Sequence, residues 1–228
     1  MTSASIFVII PAYNEAAILR ETVTPLVKAG YTVVVVDDGS IDQPAAALAG
    51  LPITLLHHSV NLGQGAALET GMEYARRHNA EAAVHFDADG QHSPEQIPDF
   101  IAPIARCEAD VVLGSRFLRP EDAAQTPAFR RLVLRIGIIV SGVFTGLWLT
   151  DTHNGFRALS RKALEEIRLR ENGYAHATEI LETIRRKKLR YIEAPTAIRY
   201  SAYSRSKGQS FWNSFNIVID LVMERLFR

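Results

Sequence analysis

The sequence predicts an α/β fold in which a mostly parallel sheet is flanked by helices. Apolar runs of four or five residues recur along the chain, and stretches with apolar residues at helical spacing separate them. That alternation is the pattern of βαβ units, because parallel neighbours need a crossover long enough to hold a helix. The first run, Ile6-Phe7-Val8-Ile9-Ile10, is closed by Pro11 and reads as a strand buried on both faces. Asn14 stands where a helix cap is expected, and Ile18, Leu19, Val23, Leu26 and Val27 follow at helical spacing up to Gly30. Thr32 to Val36 gives a second buried strand. Ile53 to Leu56, Ala82 to Phe86 and Asp110 to Leu113 give three more, alternating with helical segments at 65–78 and 94–106. Ser93 and Pro94 suit the start of the last helix as cap and first residue.

At 228 residues, 47% hydrophobic and 22% charged, the chain is expected to form one domain with a sizeable core. Its regular alternation ends near Arg116, dividing residues 1–114 from residues 115–228. Cys107 is the single cysteine and no Cys or His cluster has zinc spacing, so a reducing cytoplasm fits best. Met1 to Ser5 carries no basic leader, and secretion is not expected. The formal net charge is zero, yet residues 185–228 hold ten Lys or Arg against three Asp or Glu. Such a basic end is either a solvated surface or an attraction for phosphates and anionic lipid. Nucleic acid is not expected as a partner. Leu132 to Leu149 is long and apolar, but Arg135, Gly137, Gly142 and Gly146 favour a packed or interfacial helix over a membrane span.

Chemistry concentrates at the ends of the strands. Asp87 and Asp89 follow the run Ala82 to Phe86, and ligands of open parallel sheets bind beyond the carboxyl ends of strands. Residues i and i+2 of an extended chain face one side, so both carboxylates could hold a hard divalent cation that also takes diphosphate oxygens. Gln91 continues that alternation and could add an amide oxygen. Alone, an Asp-x-Asp is most often a pair of surface turn residues. Here Pro11-Ala12-Tyr13-Asn14-Glu15 and Asp37-Asp38-Gly39-Ser40 end two other strands at the same edge. Tyr13 could cover a base, and Glu15 or Asp38 could accept from base or ribose donors; the second motif suits a plain turn equally well. Asn61-Leu62-Gly63-Gln64-Gly65-Ala66 suggests a phosphate loop but lacks its lysine and spacing, and reads as a close-packing turn into a helix.

In order, Ile10-Pro11-Ala12-Tyr13-Asn14-Glu15, Val36-Asp37-Asp38-Gly39-Ser40, Asn61 to Gly65, Asp87-Ala88-Asp89-Gly90-Gln91-His92, Gly114-Ser115-Arg116-Phe117 and Asp151-Thr152-His153-Asn154-Gly155-Phe156-Arg157 resemble the inverting glycosyltransferases of family 2, of GT-A fold. The branch they are most similar to moves mannose or glucose onto dolichyl or polyprenyl phosphate. The resemblance implies a nucleotide-sugar pocket from Pro11, Tyr13, Glu15, Val36, Asp38, Asp87 and Ala88, with Mg²⁺ or Mn²⁺ held by Asp87, Asp89 and Gln91. It implies catalytic roles for Asp89, for Arg116 and for the Arg130-Arg131 pair, whose guanidinium forks suit an acceptor phosphate. Lys207, in Arg205-Ser206-Lys207-Gly208, is similar to the branch's contact to the donor diphosphate. Leu134, Gln64 and Ala177 depart from the pattern, replacing a serine, a lysine and an aspartate base respectively. A phosphate acceptor is already ionised and needs little help from a base.

The implied reaction moves a hexose from a GDP- or UDP-sugar to a polyprenyl phosphate. The alternative is transfer to a sugar hydroxyl, with Glu179 or Asp151 as base. From Phe211, the residues Phe215, Val218, Ile219, Val222 and Leu226 make an apolar stripe on a terminal amphipathic helix. It suits peripheral contact with the cytoplasmic face of a membrane, docking on the core, or a homodimer.

Overall fold

The computed structural model describes residues 5–119, 145–152 and 154–197, together with 138, 139, 142 and 143. Its strands are β1 (Ile6–Ala12), β2 (Thr32–Asp37), β3 (Thr54–His57), β4 (Ala82–His85), β5 (Val111–Ser115), β6 (Arg157–Ser160) and β7 (Tyr191–Pro195). Its helices are α1 (Ala16–Lys28), α2 (Pro44–Ala47), α3 (Gln64–Arg77), α4 (Ile97–Ala105, after a 3₁₀ turn at Pro94–Gln96), α5 (Arg161–Glu166) and α6 (His176–Arg186). The strands form one sheet in the order β3-β2-β1-β4-β6-β5-β7. All pairings are parallel except those of β6, which runs antiparallel between β4 and β5.

The central strands are apolar throughout because both faces are covered. Ile6, Val8 and Ile10 of β1 share a core with Leu19, Val23 and Leu26 of α1 and with Ile97 and Phe100 of α4. Phe7 and Ile9 face the other way, into a core with Leu68 and Met72 of α3 and Ile180 and Ile184 of α6. Each such side chain contributes roughly 1.5–3 kcal/mol by leaving water. The five strands read from apolar runs and the helices at α1 and α3 fall within a residue or two of their expected bounds, while α4 starts three residues late because Pro94–Gln96 forms a 3₁₀ turn. β6 and β7 carry no comparable signal: β6 is only Arg-Ala-Leu-Ser, and its place is set by partners distant in sequence.

Two expected caps are used differently. Asn14 takes a left-handed φ of 55° and lies before Glu15, which holds the N-cap position of α1. The Asn14 side-chain oxygen accepts from the Ile41 N–H, while the open amide of Ala16 is served by Asp42. Ser93 does sit at the cap position before Pro94, but its hydroxyl donates to the Glu95 carboxylate. Among the described residues no helix is long and apolar enough to cross a membrane. Half of 132–149 and all of the segment from Phe211, where an amphipathic helix is expected, lie outside the described residues.

α3 presses close to β1 because Gly71 has no side chain. A Cβ there would lie 2.3 Å from Ile9 Cγ2. Replacing a helical glycine by alanine ordinarily stabilises; here Gly71→Ala is expected to destabilise by about 1–3 kcal/mol through overpacking. A lowered denaturant midpoint at unchanged slope is the expected result, and a raised midpoint would contradict the close contact.

Candidate functional site

β2, β1 and β4 are consecutive in the sheet and parallel, so their carboxyl ends open on one edge. Tyr13 there is 48% exposed, and Pro11 and Glu15 are half-buried. Val36 is fully buried in the core, so its side chain does not reach the cleft. β4 ends at His85, and residues 88–90 form a turn in which Gly90 takes φ 72° and Asp89 Oδ1 accepts from the Gln91 N–H at 3.0 Å. The extended alternation therefore stops before Gln91, whose side chain is buried. Thr22 Oγ1 of α1 donates to the Ala88 carbonyl at 3.2 Å, pinning the middle of the triplet.

Asp87 is surrounded by groups from three parts of the chain. Its Oδ2 lies 3.0 Å from His92 Nε2 and its Oδ1 lies 3.5 Å from Gln64 Nε2. A Cβ on Gly155 would meet these two oxygens at 2.8 and 2.9 Å, so only glycine lets that backbone back onto the carboxylate. His92 is itself held by rings, stacked on Phe156 at 5.0 Å and edge-on to Phe86 at 5.8 Å. Burial pushes the Asp87 carboxyl up, but the hydrogen bond and charge of His92, with the charge of Arg157, hold it below the usual carboxylate range. Asp89 goes the other way. Burial and the neighbouring Asp87 charge raise it to about 6, against the opposing hydrogen bond from Gln91.

Asp38 anchors the second loop. Its Oδ1 accepts from the Leu62 N–H at 2.9 Å and lies 2.7 Å from His58 Nδ1, while Oδ2 accepts from the Gly63 N–H at 2.7 Å. A carboxylate offers about four acceptor positions, so one remains for a base or ribose donor. The loop from Asn61 to Gly65 is the close-packing turn its sequence suggests. The Gly65 and Ala66 amides donate to the Asn172 carbonyl, and a Cβ on Gly65 would stand 2.0 Å from the Glu171 carbonyl oxygen. Those helix-start amides are spent within the protein, which removes the usual basis of a phosphate loop.

Arg116 and Asp151 meet in a buried bidentate pair: Nε to Oδ2 is 2.6 Å and Nη2 to Oδ1 is 2.8 Å. Glu193 of β7 fastens the same loop by accepting from the amides of Thr150 and Asp151. Glu179 Oε2 accepts from the Arg170 and Glu171 amides, ordering the segment that faces α3. Arg130, Arg131 and Lys207 lie outside the described residues. Among the described residues no three His, Cys, Asp or Glu side chains gather as a metal cage. The triplet supplies two hard oxygen donors, a set that suits a cation sharing its remaining positions with water and phosphate. Sequence reasoning gave no role to His92, Gly155 or Glu193. The first two stand within the motifs themselves, whereas Glu193 has no local signature.

Residues 7–168 match the family described as Glycosyl transferase family 2. An uncharacterised protein of Methanocaldococcus jannaschii is 32% identical over 229 residues, covering 97% of this chain and 93% of that protein. The UDP-N-acetylglucosamine--dolichyl-phosphate N-acetylglucosaminyltransferase of Methanococcus voltae is 31% identical over 247 residues, covering 99% and 98%. Among solved structures, glucosyl-3-phosphoglycerate synthase from Mycobacterium tuberculosis, in complex with Mn²⁺, UDP and phosphoglyceric acid, superposes with a TM-score of 0.67. It is 18% identical, with 96% of this chain and 77% of that one covered, and this likeness shows a GT-A-like fold.

The raised Asp89 carboxyl gives a direct prediction. Because its folded value of about 6 exceeds the ordinary carboxyl value of 3.8, the folded state holds the extra proton between them; this contribution is fully present below 3.8 and is lost as pH rises to about 6. Carboxyl-carbon NMR should show one aspartate titrating near 6, and Asp87→Asn should bring it down by removing the like charge. An unchanged midpoint in that variant would contradict the electrostatic coupling.

Proposed function

This chain belongs to glycosyl transferase family 2, a hexosyltransferase-class enzyme, and from that premise we propose that it moves a hexose from a UDP-sugar onto a polyprenyl phosphate with inversion at the anomeric carbon. The observation that carries the donor half is the acidic pair Asp87 and Asp89 at the shared edge of β1, β2 and β4, half-buried and electrostatically strained. A uridine donor is supported by two similar proteins, one named for UDP-N-acetylglucosamine and one solved with Mn²⁺ and UDP. Residues 1–114 form the donor half, with Pro11, Tyr13, Glu15 and Asp38 lining the nucleotide pocket. Residues 115–228 supply the acceptor half.

Asp87 and Asp89 would hold Mg²⁺ or Mn²⁺ between them. A divalent cation there supplies positive charge to the departing diphosphate. Lys207 adds a second positive contact to that leaving group. Arg130 and Arg131 would hold the acceptor phosphate, and Arg116, which Asp151 fixes, would add positive charge on the acceptor side. The acceptor oxyanion attacks opposite the leaving diphosphate, and because it is already ionised no proton has to be removed.

The phosphate acceptor, rather than a sugar hydroxyl, is favoured by a specific feature of the geometry. Both oxygens of Asp151 are engaged by Arg116, and Glu179 serves two backbone amides. Asp151 is thus committed to Arg116, and Glu179 spends one of its two oxygens on the backbone. The dolichyl-phosphate acceptor in the name of the Methanococcus voltae relative supports the same choice.

Incubating the full chain with polyprenyl phosphate and UDP-N-acetylglucosamine, UDP-glucose or GDP-mannose tests this reading. Transfer from a UDP-sugar, abolished by EDTA and restored by Mn²⁺, is the expected result. Transfer only to sugar hydroxyls, or full activity in EDTA, would contradict it. Changing Arg130 and Arg131 together to alanine is expected to lower lipid-phosphate transfer by about tenfold or more, since charge-assisted contacts to the acceptor would be lost.

A further inference from the structure

Arg157 is a buried cation whose placement packing does not explain. It is the first residue of β6, opposite His85 of β4 and Leu113 of β5, two positions after the Gly155 that touches Asp87. Its side chain is 3% exposed, and Nη1 has no hydrogen-bond partner among the described residues. The carboxylates that act on it are Asp87 and Asp151, and Asp151 is already held by both arms of Arg116. The other ionisable groups against it are His85 and His176. Burial, with the Arg157 charge adding to it, lowers them to about 3 and about 4, so both are neutral at physiological pH. Burial brings Arg157 itself down only to about 10, leaving it charged.

A guanidinium kept in the interior without matching hydrogen bonds is costly, and an apolar side chain of similar volume would fill the space at less cost. What the charge does supply is a fixed positive potential that acts on Asp87.

We propose that Arg157 is a positioning residue that acts as the fixed counter-charge of the acidic pair, making retention of a divalent cation conditional on a nucleoside diphosphate. This rests on the reading of Asp87 and Asp89 as the cation and diphosphate site. A bare dication approaching the pair meets two negative charges offset by one buried positive charge, so it binds weakly. A diphosphate alone is attracted by Arg157 and repelled by the carboxylates. Together the two ligands cancel, and the site holds the pair better than either partner. Loss of the diphosphate product then also loosens the cation.

The consequence is a pair of opposite shifts, which a merely structural role would not produce. Titration calorimetry on the full chain would measure Mn²⁺ alone, UDP alone and UDP with Mn²⁺ for the wild type, Arg157→Met and Arg157→Lys. In Arg157→Met, Mn²⁺ alone is expected to bind about threefold or more tighter and UDP alone about threefold or more weaker, the size of a screened single charge. Its melting temperature should not fall, because no hydrogen bond is lost. Arg157→Lys, which keeps the charge, should keep both affinities within about twofold of wild type. Weakening of both ligands together, no change in either, or loss of folding in Arg157→Met would overturn the proposal by making the residue a structural brace or a bystander. Failure of the underlying site reading would appear separately, as wild-type UDP binding that does not respond to Mn²⁺.

Discussion

Two carboxylates two residues apart, half-buried at the edge of a sheet, repel one another, and much of the surrounding structure offsets that repulsion. The Asp89 carboxyl is pushed to about 6 by burial and by Asp87. Asp87 is kept ionised by the hydrogen bond and charge of His92 and by the charge of Arg157, with the Gln64 amide 3.5 Å from its other oxygen. These groups come from a helix start, a loop after β4 and an inserted antiparallel strand. The fold is what brings them together. Without β6 between β4 and β5, neither Gly155 nor Arg157 would lie beside the triplet.

Much of this was legible in the chain itself. The apolar runs of β1 to β5 are continuous because both faces of the sheet are covered, and a pattern of that kind survives without knowledge of partners. The convergence of three polar strand ends was also readable, since consecutive parallel strands put their carboxyl ends on one edge. The glycines of the Asn61 to Gly65 loop announced a tight approach, and the structure shows against what: the carbonyls of Glu171 and Asn172.

What the sequence left open has physical reasons. Short strands such as β6 and β7 gain their place from distant partners, so local propensity carries little information. The turn at 88–90 breaks the alternation that would have placed Gln91 beside the two aspartates, because Gly90 and the Asp89 side chain together favour folding back. The family resemblance offers Asp151 as a possible base, yet its partner Arg116 is 35 residues away in sequence. Side-chain pairings of that range are invisible to motif spacing. The same blindness hid Arg157, which reads in sequence as the polar end of a motif and proves to be an interior charge.

The most direct test of the account is paramagnetic broadening by Mn²⁺ in the presence of UDP. If the acidic pair is the cation and diphosphate site, the NMR signals of the His92 ring and the Gln64 side-chain amide, both in contact with Asp87, broaden at substoichiometric Mn²⁺ and do so less without UDP. Broadening confined to surface histidines such as His57, which pairs with Asp37 instead, or no response to UDP, would contradict it.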